Sequence, residues 1–454
     1  MSAGRPCPVR AQADARPEAL AVLAAEQAWT WTAWDGLVER AAQRLLAAGG
    51  GGRPVAVVAE STLDLAALTL GTLRAGVVLA PLSPRLPPAA VTDALSRLGT
   101  RTLLREDTPA PPADLTRSDG SVQPDQPILA VFTSGSTGTP KPALLSAGNV
   151  LASAEGVSEA LGLAPGDRWL LNLPLHHVGG VGVVVRCAVA GATLVVPASG
   201  VPTGEALREY RVTHASLVAT QLYRLLRDAP EPPPTLRAVL LGGSAIPAGL
   251  LDEAHARGWP VHTSYGLTEM ASTVTMTPPR ASREDLATSG LPLRHARIAI
   301  RHGEVYVGGP SRFLGYLDGE HVVEPFGDDR LFATGDLGRL DDQGRLVVMG
   351  RRDNRFISGG ENVQPEAIEA ALEALPGITR ALVVPVEDAE YGHRPVAFIE
   401  MEAGAPNGDA LRGALVERLP RFLLPVAFYP WPGGEEGVKV DRRALAAEAA
   451  RRKR

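Results

Sequence analysis

The sequence predicts a large α/β domain, built of helix-covered mixed sheets plus a small β region, followed by a small α+β domain. Short apolar, strand-like runs alternate with helical periodicity through the first part of the chain, the pattern of a parallel or mixed sheet covered by helices. From Ala296 the texture changes to brief β segments at 298–300, 305–307 and 346–349. A last stretch of about 100 residues then has a pattern of its own, a normal size for one domain. The boundary is expected at 350–353, giving domains 1–350 and 351–454.

Taken in order, residues 17–50 read as a short strand pair and an amphipathic helix over 34–48, with Leu37, Val38, Ala41, Leu45 and Leu46 on one face. A buried strand at 55–58, a helix at 63–75 and an apolar run at 77–82 follow. Residues 106–126, rich in Pro, Asp and Ser, read as a surface loop. After a strand at 128–132 come helices over 149–161 and 221–227, strands at 169–173, 216–219 and 238–241, and a helix begun at Pro247. The run 332–337 reads as a turn carrying one acid, Asp336. In the last domain, Pro365 at a first helical position opens a helix. Strands at 381–386 and 397–401 and helices at 408–419 and 442–452 complete it.

Composition narrows the function. With 454 residues, two or three domains are expected, and 45% hydrophobic with 21% charged residues is ordinary for a soluble globular protein. A formal net charge of -5 argues against a nucleic-acid binder, and the tail at 451–454 reads as a frayed helix end. Cys7, in a polar N-terminus expected to be mobile, and Cys187, in an apolar run, cannot make a disulfide framework or a zinc site. No signal peptide opens the chain. The longest apolar stretch, 178–197, carries Arg186 and four glycines, which argues against a membrane span. The expected location is the cytoplasm, and a homo-oligomer stays open.

The chemistry gathers in polar patches at the ends of strands. Thr133, Ser134, Gly135, Ser136, Thr137, Gly138 and Lys141 follow an apolar strand. Glycines let backbone N–H groups wrap an anion, hydroxyls add donors, and the lysine adds a mobile charge. That is a polyphosphate cradle, although its spacing is not that of a P-loop. Gly242, Gly243 and Ser244 end another strand before a helix, which places a ligand at the carboxyl edge of a sheet. Tyr265, Gly266, Thr268 and Glu269 bring an aromatic ring, a glycine, a hydroxyl and a carboxylate to a further strand end. His176 and His177 are adjacent and expected to point apart, so they read as pocket wall rather than as a metal pair.

These motifs, in this order, resemble the acyl-adenylate-forming superfamily, in its acyl-CoA ligase branch. The resemblance runs from about Trp34 to Arg443. It rests on TSGSTGTPK at 133–141, PLHHVGG at 174–180, GGS at 242–244, YGLTE at 265–269, TGDL at 334–337, GRRD at 350–353 and VKVDRR at 438–443. The resemblance implies that Thr133, Ser134, Ser136, Thr137 and Lys141 hold the β- and γ-phosphates of ATP. Gly242, Gly243, Ser244 and Tyr265, with Gly266 beside the ring, would flank adenine. Thr268 would bond the α-phosphate and Glu269 would bind Mg²⁺, a hard cation suited to oxygen ligands. Asp336 would accept the ribose hydroxyls, with Arg351 nearby. His177 would border the acyl pocket and the thiol tunnel. Asp353 would be the hinge of a mobile C-terminal domain carrying Lys439, which neutralises charge between carboxylate and α-phosphate; such preorganised groups account for about 10²–10³ in rate. Two residues depart from the family pattern: Val438 stands where a glycine usually precedes the lysine, and Pro142 follows Lys141.

The implied reaction makes acyl-AMP and pyrophosphate from an acid and ATP, then passes the acyl group to a thiol. Residues 168–197 lack the acidic partner that an amino-acid substrate would need, and no carrier domain follows, so coenzyme A is the expected acceptor. The short length, PLHHVGG and SGGENVQPEAIE look most like the o-succinylbenzoate–CoA ligases of menaquinone synthesis. That acid keeps one carboxylate unactivated, for which His176, His177, Arg186, Gln221 and Ser244 are candidates. An aryl or medium-chain acid is the alternative. The rival from another class, a catalytically silent nucleotide-binding scaffold, fits poorly with the set Lys141, Glu269, Asp336, Arg351 and Lys439.

Overall fold

The structure, a computed structural model, describes residues 4–25, 27–49, 53–58, 62–105, 120–133, 140–229, 231–358, 361–388, 391–401, 408–432 and 441–453. Two compact units are formed. The first comprises Met1–Ser244, Arg257–Ala299 and Tyr306–Ala333; the second comprises Ala245–Ala256, Ile300–Val305 and Thr334–Arg454.

The first unit holds a nine-stranded sheet in the order Leu291–Pro292, Ser272–Met276, Val261–Leu267, Ala238–Leu241, His214–Leu217, Arg168–Leu170, Thr193–Val196, Leu20–Ala24, Gln27–Thr30. Its middle pairings are parallel and its edges antiparallel. Strands such as Ala238–Leu241, buried at every residue, suit a sheet covered on both faces. A seven-stranded sheet runs His321–Val323, Gly315–Asp318, Lys141–Ser146, Pro127–Thr133, Leu79–Pro81, Val55–Val57, Leu103–Leu104. It too is mixed, as the strand–helix alternation predicts.

The helix Trp31–Ala48 starts before the expected Trp34 because Thr30 caps it, accepting the Ala33 N–H, a contact typically worth about 1 kcal/mol. It approaches Thr62–Ala75 closely at Gly71, where a Cβ would lie 2.9 Å from the Ala42 nitrogen. Between these helices Arg74 donates to Asp35, to Glu39 at 3.0 Å and to the Cys7 sulfur at 3.3 Å, while Arg10 donates to both Asp35 oxygens. The N-terminal segment is therefore folded, contrary to expectation. Pro8 starts the helix Pro8–Ala15, and Cys7 is fully buried. The polar residues that suggested mobility are partners in this cluster.

In the second unit, the strands Glu361–Val363, Phe356–Ser358, Gly392–Met401 and Ile378–Asp388 form a sheet, with Ala427–Pro430 paired to Gly392–Met401. Alternation along Ile378–Asp388 divides its side chains between two cores. Ala381 and Val383 pack with Ile368, Leu372, Leu411 and Leu415. Leu382, Val384 and Val386 pack with Leu445 and Ala449 of the last helix.

The expected small β region is a four-stranded sheet in the order Arg297–Arg301, Glu304–Gly308, Phe332–Leu340, Leu346–Arg351. The run 332–337, expected as a turn, belongs to the strand Phe332–Leu340. Its turn-like composition comes from Gly335, which takes φ +74° inside the strand, a bend glycine adopts without strain. The apolar stretch at 178–197 divides into the helix Val178–Ala190 and the strand Thr193–Val196. No helix among the described residues is long and apolar enough to cross a membrane.

Candidate active site

In the first unit the strand Pro127–Thr133 ends where Lys141–Ser146 begins, and Thr133 and Lys141 are register partners across the antiparallel pair. The Thr133 hydroxyl donates to the Lys141 carbonyl at 3.3 Å. Ser134, Gly135, Ser136, Thr137 and Gly138, the body of the expected cradle, lie outside the described residues. What the structure describes is the pair of strands that flank those residues.

Lys141 and Glu269, distant in sequence, meet at a residue that carried no expectation. The Tyr316 hydroxyl donates to Glu269 Oε1 at 2.7 Å, and the Lys141 ammonium lies 5.5 Å from the Tyr316 ring centre, within cation–π range. Tyr316 reaches both because Gly315–Asp318 pairs directly with Lys141–Ser146. Nothing local in the sequence distinguishes it from a core tyrosine.

Glu269 is buried in the 3₁₀ turn Thr268–Met270 that follows the strand Val261–Leu267. The backbone then passes through two non-glycine residues with positive φ, Ala271 at 53° and Ser272 at 110°. Such conformations cost of order 1–3 kcal/mol each and persist where surrounding contacts over-determine them. Gly242, Gly243 and Ser244 turn at the end of Ala238–Leu241, and the register Leu241↔Thr263 sets them beside Ser264 and Tyr265. A Cβ on Gly242 would stand 3.0 Å from the Ser264 hydroxyl, so the glycine permits the close approach. Gly266 is exposed and Tyr265 half-buried, leaving a surface where a flat ligand can lie.

His176 and His177 do not point apart. Their rings lie 4.5 Å from centre to centre, because both sit in the turn that leads into Val178–Ala190. Burial, then the neighbouring His177 and Arg85, pull the His176 pKa down to about 4, so that ring is neutral near pH 7. His177 is exposed at the helix N-cap. Gln221 is committed to structure: its side chain accepts from the Val218 N–H at 3.1 Å and donates to the Asn172 carbonyl at 3.3 Å. Arg186 is different. It is 1% exposed, and its Nη2 donates to the hydroxyls of Ser272 and Thr273 at 3.2 and 3.3 Å. Its Nε has no partner, and it makes no ion pair with a carboxylate among the described residues. Burial pulls its pKa down to about 10.

In the second unit Asp336 and Arg351 face each other across the antiparallel pair Phe332–Leu340 and Leu346–Arg351. Arg351 donates to Asp336 Oδ1 at 2.9 Å and to the Thr334 carbonyl at 3.1 Å. A Cβ on Gly335 would lie 3.1 Å from the Arg351 guanidinium. Glu304, which carried no expectation, accepts the Gly335 N–H at 3.0 Å and pairs with Arg352 at 2.6 Å. Asp353 lies in the next turn, Arg352–Asn354, 3.5 Å from Arg351. Lys439 lies outside the described residues. Three residues later, Arg442 pairs with Glu369 at 2.7 Å and donates to the Val383 carbonyl at 2.7 Å, fixing the start of the last helix.

Chemically, the first unit offers a cation at a hairpin root, a buried carboxylate tied to it by a tyrosine, a glycine-lined ring platform and a buried guanidinium. The second offers a carboxylate held in place by an arginine. The AMP-binding enzyme family matches residues 9–317, and the AMP-binding enzyme C-terminal domain matches residues 367–432. A 2-succinylbenzoate–CoA ligase of Salmonella typhimurium is 39% identical over 388 residues, 83% of this chain and 83% of that protein. The o-succinylbenzoate CoA synthetase (MenE) from Bacillus subtilis, solved in complex with the acyl-adenylate intermediate OSB-AMP, is 28% identical with a TM-score of 0.89 over 97% of this chain and 98% of that one. The same enzyme in complex with ATP and magnesium ion gives a TM-score of 0.88 at 28% identity, covering 97% and 99%.

Proposed function

The chain belongs to the AMP-binding enzyme family, and from that premise we propose that it is a 2-succinylbenzoate–CoA ligase of menaquinone synthesis. The acid's carboxylate oxygen attacks the α-phosphorus of ATP and pyrophosphate leaves. The CoA sulfur then attacks the acyl carbonyl, forming the thioester and releasing AMP. With ATP and CoA as co-substrates, the enzyme works in the cytoplasm.

The observation that carries the choice of acid is Arg186. A buried charge needs a counter-charge, and among the described residues the hydrogen-bond partners of this one are two neutral hydroxyls. 2-Succinylbenzoate has two carboxylates; one is activated, and the other can complete Arg186. The neutral His176 and the committed Gln221 supply no such charge.

On this reading Thr133 and Lys141, with Ser134, Gly135, Ser136, Thr137 and Gly138, grip the β- and γ-phosphates. Gly242, Gly243, Ser244, Tyr265 and Gly266 seat adenine, and Thr268 bonds the α-phosphate. Asp336 accepts the ribose hydroxyls while Arg351 holds that carboxylate in orientation. Glu269 suits magnesium, which asks for one or two carboxylates beside phosphate oxygens; no group of three or more His, Cys, Asp or Glu gathers among the described residues. When bound, the ion screens phosphate charge. Tyr316 keeps Glu269 and Lys141 in one arrangement. His177 borders the acyl pocket and the path of the thiol. Lys439 stabilises charge in the first step, and Asp353 is the hinge between domains 1–350 and 351–454.

Thioester formation measured across 2-succinylbenzoate, benzoates, cinnamates and fatty acids tests the acid; a preference for monocarboxylic acids would overturn it. Lys439→Ala is expected to lower adenylate formation by at least about 10²-fold while sparing CoA transfer from supplied acyl-adenylate. Equal loss in both half-reactions, measured separately, would remove Lys439 from its role.

A further inference from the structure

Arg186 lies in a seat more elaborate than a buried side chain requires. Its guanidinium carbon stands 5.3 Å from the centre of the Trp169 ring. Trp169 is fully buried in the strand Arg168–Leu170, and the ring of His214, its register partner on His214–Leu217, stacks on it at 5.4 Å and 29°. The Trp169 Nε1–H has no hydrogen-bond partner among the described residues. A buried indole N–H without a partner is a standing cost that phenylalanine would avoid, so volume alone does not account for tryptophan here. What tryptophan adds is the strongest cation-binding face among the side chains.

The guanidinium also occupies the space next to Gly182, one helical turn earlier. A Cβ at Gly182 would meet Arg186 Nη2 at 3.0 Å and Cζ at 3.2 Å. Glycine inside a helix is unfavourable relative to alanine, and Gly182 lies in the middle of Val178–Ala190. Ser272 and Thr273 hold Nη2 from the strand Ser272–Met276, Ser272 at φ 110°. The guanidinium is thus fixed by a ring face, a missing side chain and two hydroxyls, all neutral. Its Nε is left unpaired.

We propose that Trp169 and Gly182 are positioning residues that form a prebuilt seat for Arg186, presenting the Nε edge of its guanidinium to the unactivated carboxylate of the acid. This rests on the 2-succinylbenzoate reading. Its consequence is selectivity for dicarboxylic acids: a planar fork fixed in advance binds a carboxylate without first losing side-chain freedom. Neither residue needs to touch the substrate.

The test compares wild type, Trp169→Leu, Trp169→Phe and Gly182→Ala, each also in an Arg186→Met background. Trp169→Leu is expected to raise KM for 2-succinylbenzoate tenfold or more, with kcat and the KM for ATP within twofold of wild type. Trp169→Phe should fall between. Gly182→Ala should raise KM several-fold without lowering Tm, because alanine is the better helix former and only the guanidinium is displaced. In the Arg186→Met background all three effects should vanish. Unchanged KM, persistence of the effects without Arg186, or an equal rise in KM for ATP would overturn the seat. A second readout does not depend on the acid. The Arg186 Nε–H resonance, assigned by its loss in Arg186→Met, should be shifted upfield by the Trp169 ring and move downfield in Trp169→Leu. If wild type fails to ligate 2-succinylbenzoate yet that shift is present, the acid is wrong and the seat stands. If the shift is absent, the seat is wrong whatever the acid.

Discussion

Arg74 and Arg186 are both buried arginines on helices of the first unit, and their surroundings are opposite. Arg74 is enclosed by the carboxylates of Asp35 and Glu39 and by the Cys7 sulfur. Burial works against its charge, yet Cys7 and Asp35 hold its pKa above the ordinary arginine value. Arg186 has two hydroxyls and an indole face, and burial, opposed only by Cys187, takes its pKa down to about 10. The first charge is completed inside the chain and belongs to the fold. The second is met, among the described residues, by neutral groups, and on the proposed function its completion falls to a ligand. Burial alone does not separate structure from function; the identity of the partners does.

The largest expected effect breaks the internal set. Arg74→Met leaves Asp35 and Glu39 buried without that guanidinium, Arg10 remaining beside them, and removing one partner of a buried ion pair typically costs about 3–5 kcal/mol. Denaturant unfolding should register that loss, with the KM for 2-succinylbenzoate unchanged in the fraction that remains folded. Arg186→Met should do the reverse. Deleting a buried charge that no carboxylate balances should leave stability equal or higher. The loss of a charge-assisted bond to the acid should lower kcat/KM by about 30- to 100-fold. If both variants lose comparable stability, the distinction between the two arginines fails.

The sequence made the alternating core elements readable, because strands such as Ala238–Leu241 are apolar at every residue and helices such as Trp31–Ala48 keep an apolar face. It also marked candidate site residues wherever unusual residue types concentrate in one short run, as around Tyr265 and Glu269 or Asp336. It failed where the information is non-local. Tyr316 becomes part of the site only because Gly315–Asp318 pairs with Lys141–Ser146, far away in the chain. Glu304 meets Gly335 and Arg352 across a distance in sequence that no local pattern spans. The N-terminus looked mobile because Arg10 and its neighbours are polar, and their partners, Asp35 and Glu39, lie on another helix. Residues 332–337 looked like a turn because one glycine bends within the strand Phe332–Leu340. Arg186 stood unranked among the candidates, since the neutral partners it has among the described residues are a fact of three dimensions.

Glu373 carries the comparison into the second unit with the sign of charge reversed, and its effect should be the smallest. It lies on the helix Pro365–Glu373, half-buried, accepting the Ala381 N–H at 3.0 Å. Burial, eased by that bond but reinforced by Glu369 nearby, pushes its carboxyl up to about 7, against an ordinary value of 4.5. Glu369, by contrast, has Arg442 as a partner. Because the folded pKa of Glu373 is raised, the protonated form is the one the fold favours. Its contribution is complete below pH 4.5, declines as pH rises towards 7, and is constant above that. Hydrogen exchange along Ile378–Asp388 should therefore quicken between about pH 5 and 7, after correction for the intrinsic rate, and Glu373→Gln should flatten that dependence by mimicking the protonated acid. An unchanged pH dependence in Glu373→Gln would place the titration elsewhere, with Glu369 the next carboxylate to replace. A flattened one would make Glu373 the anionic counterpart of Arg186: a half-buried charge relieved by a proton, where the proposed relief of the arginine is its substrate.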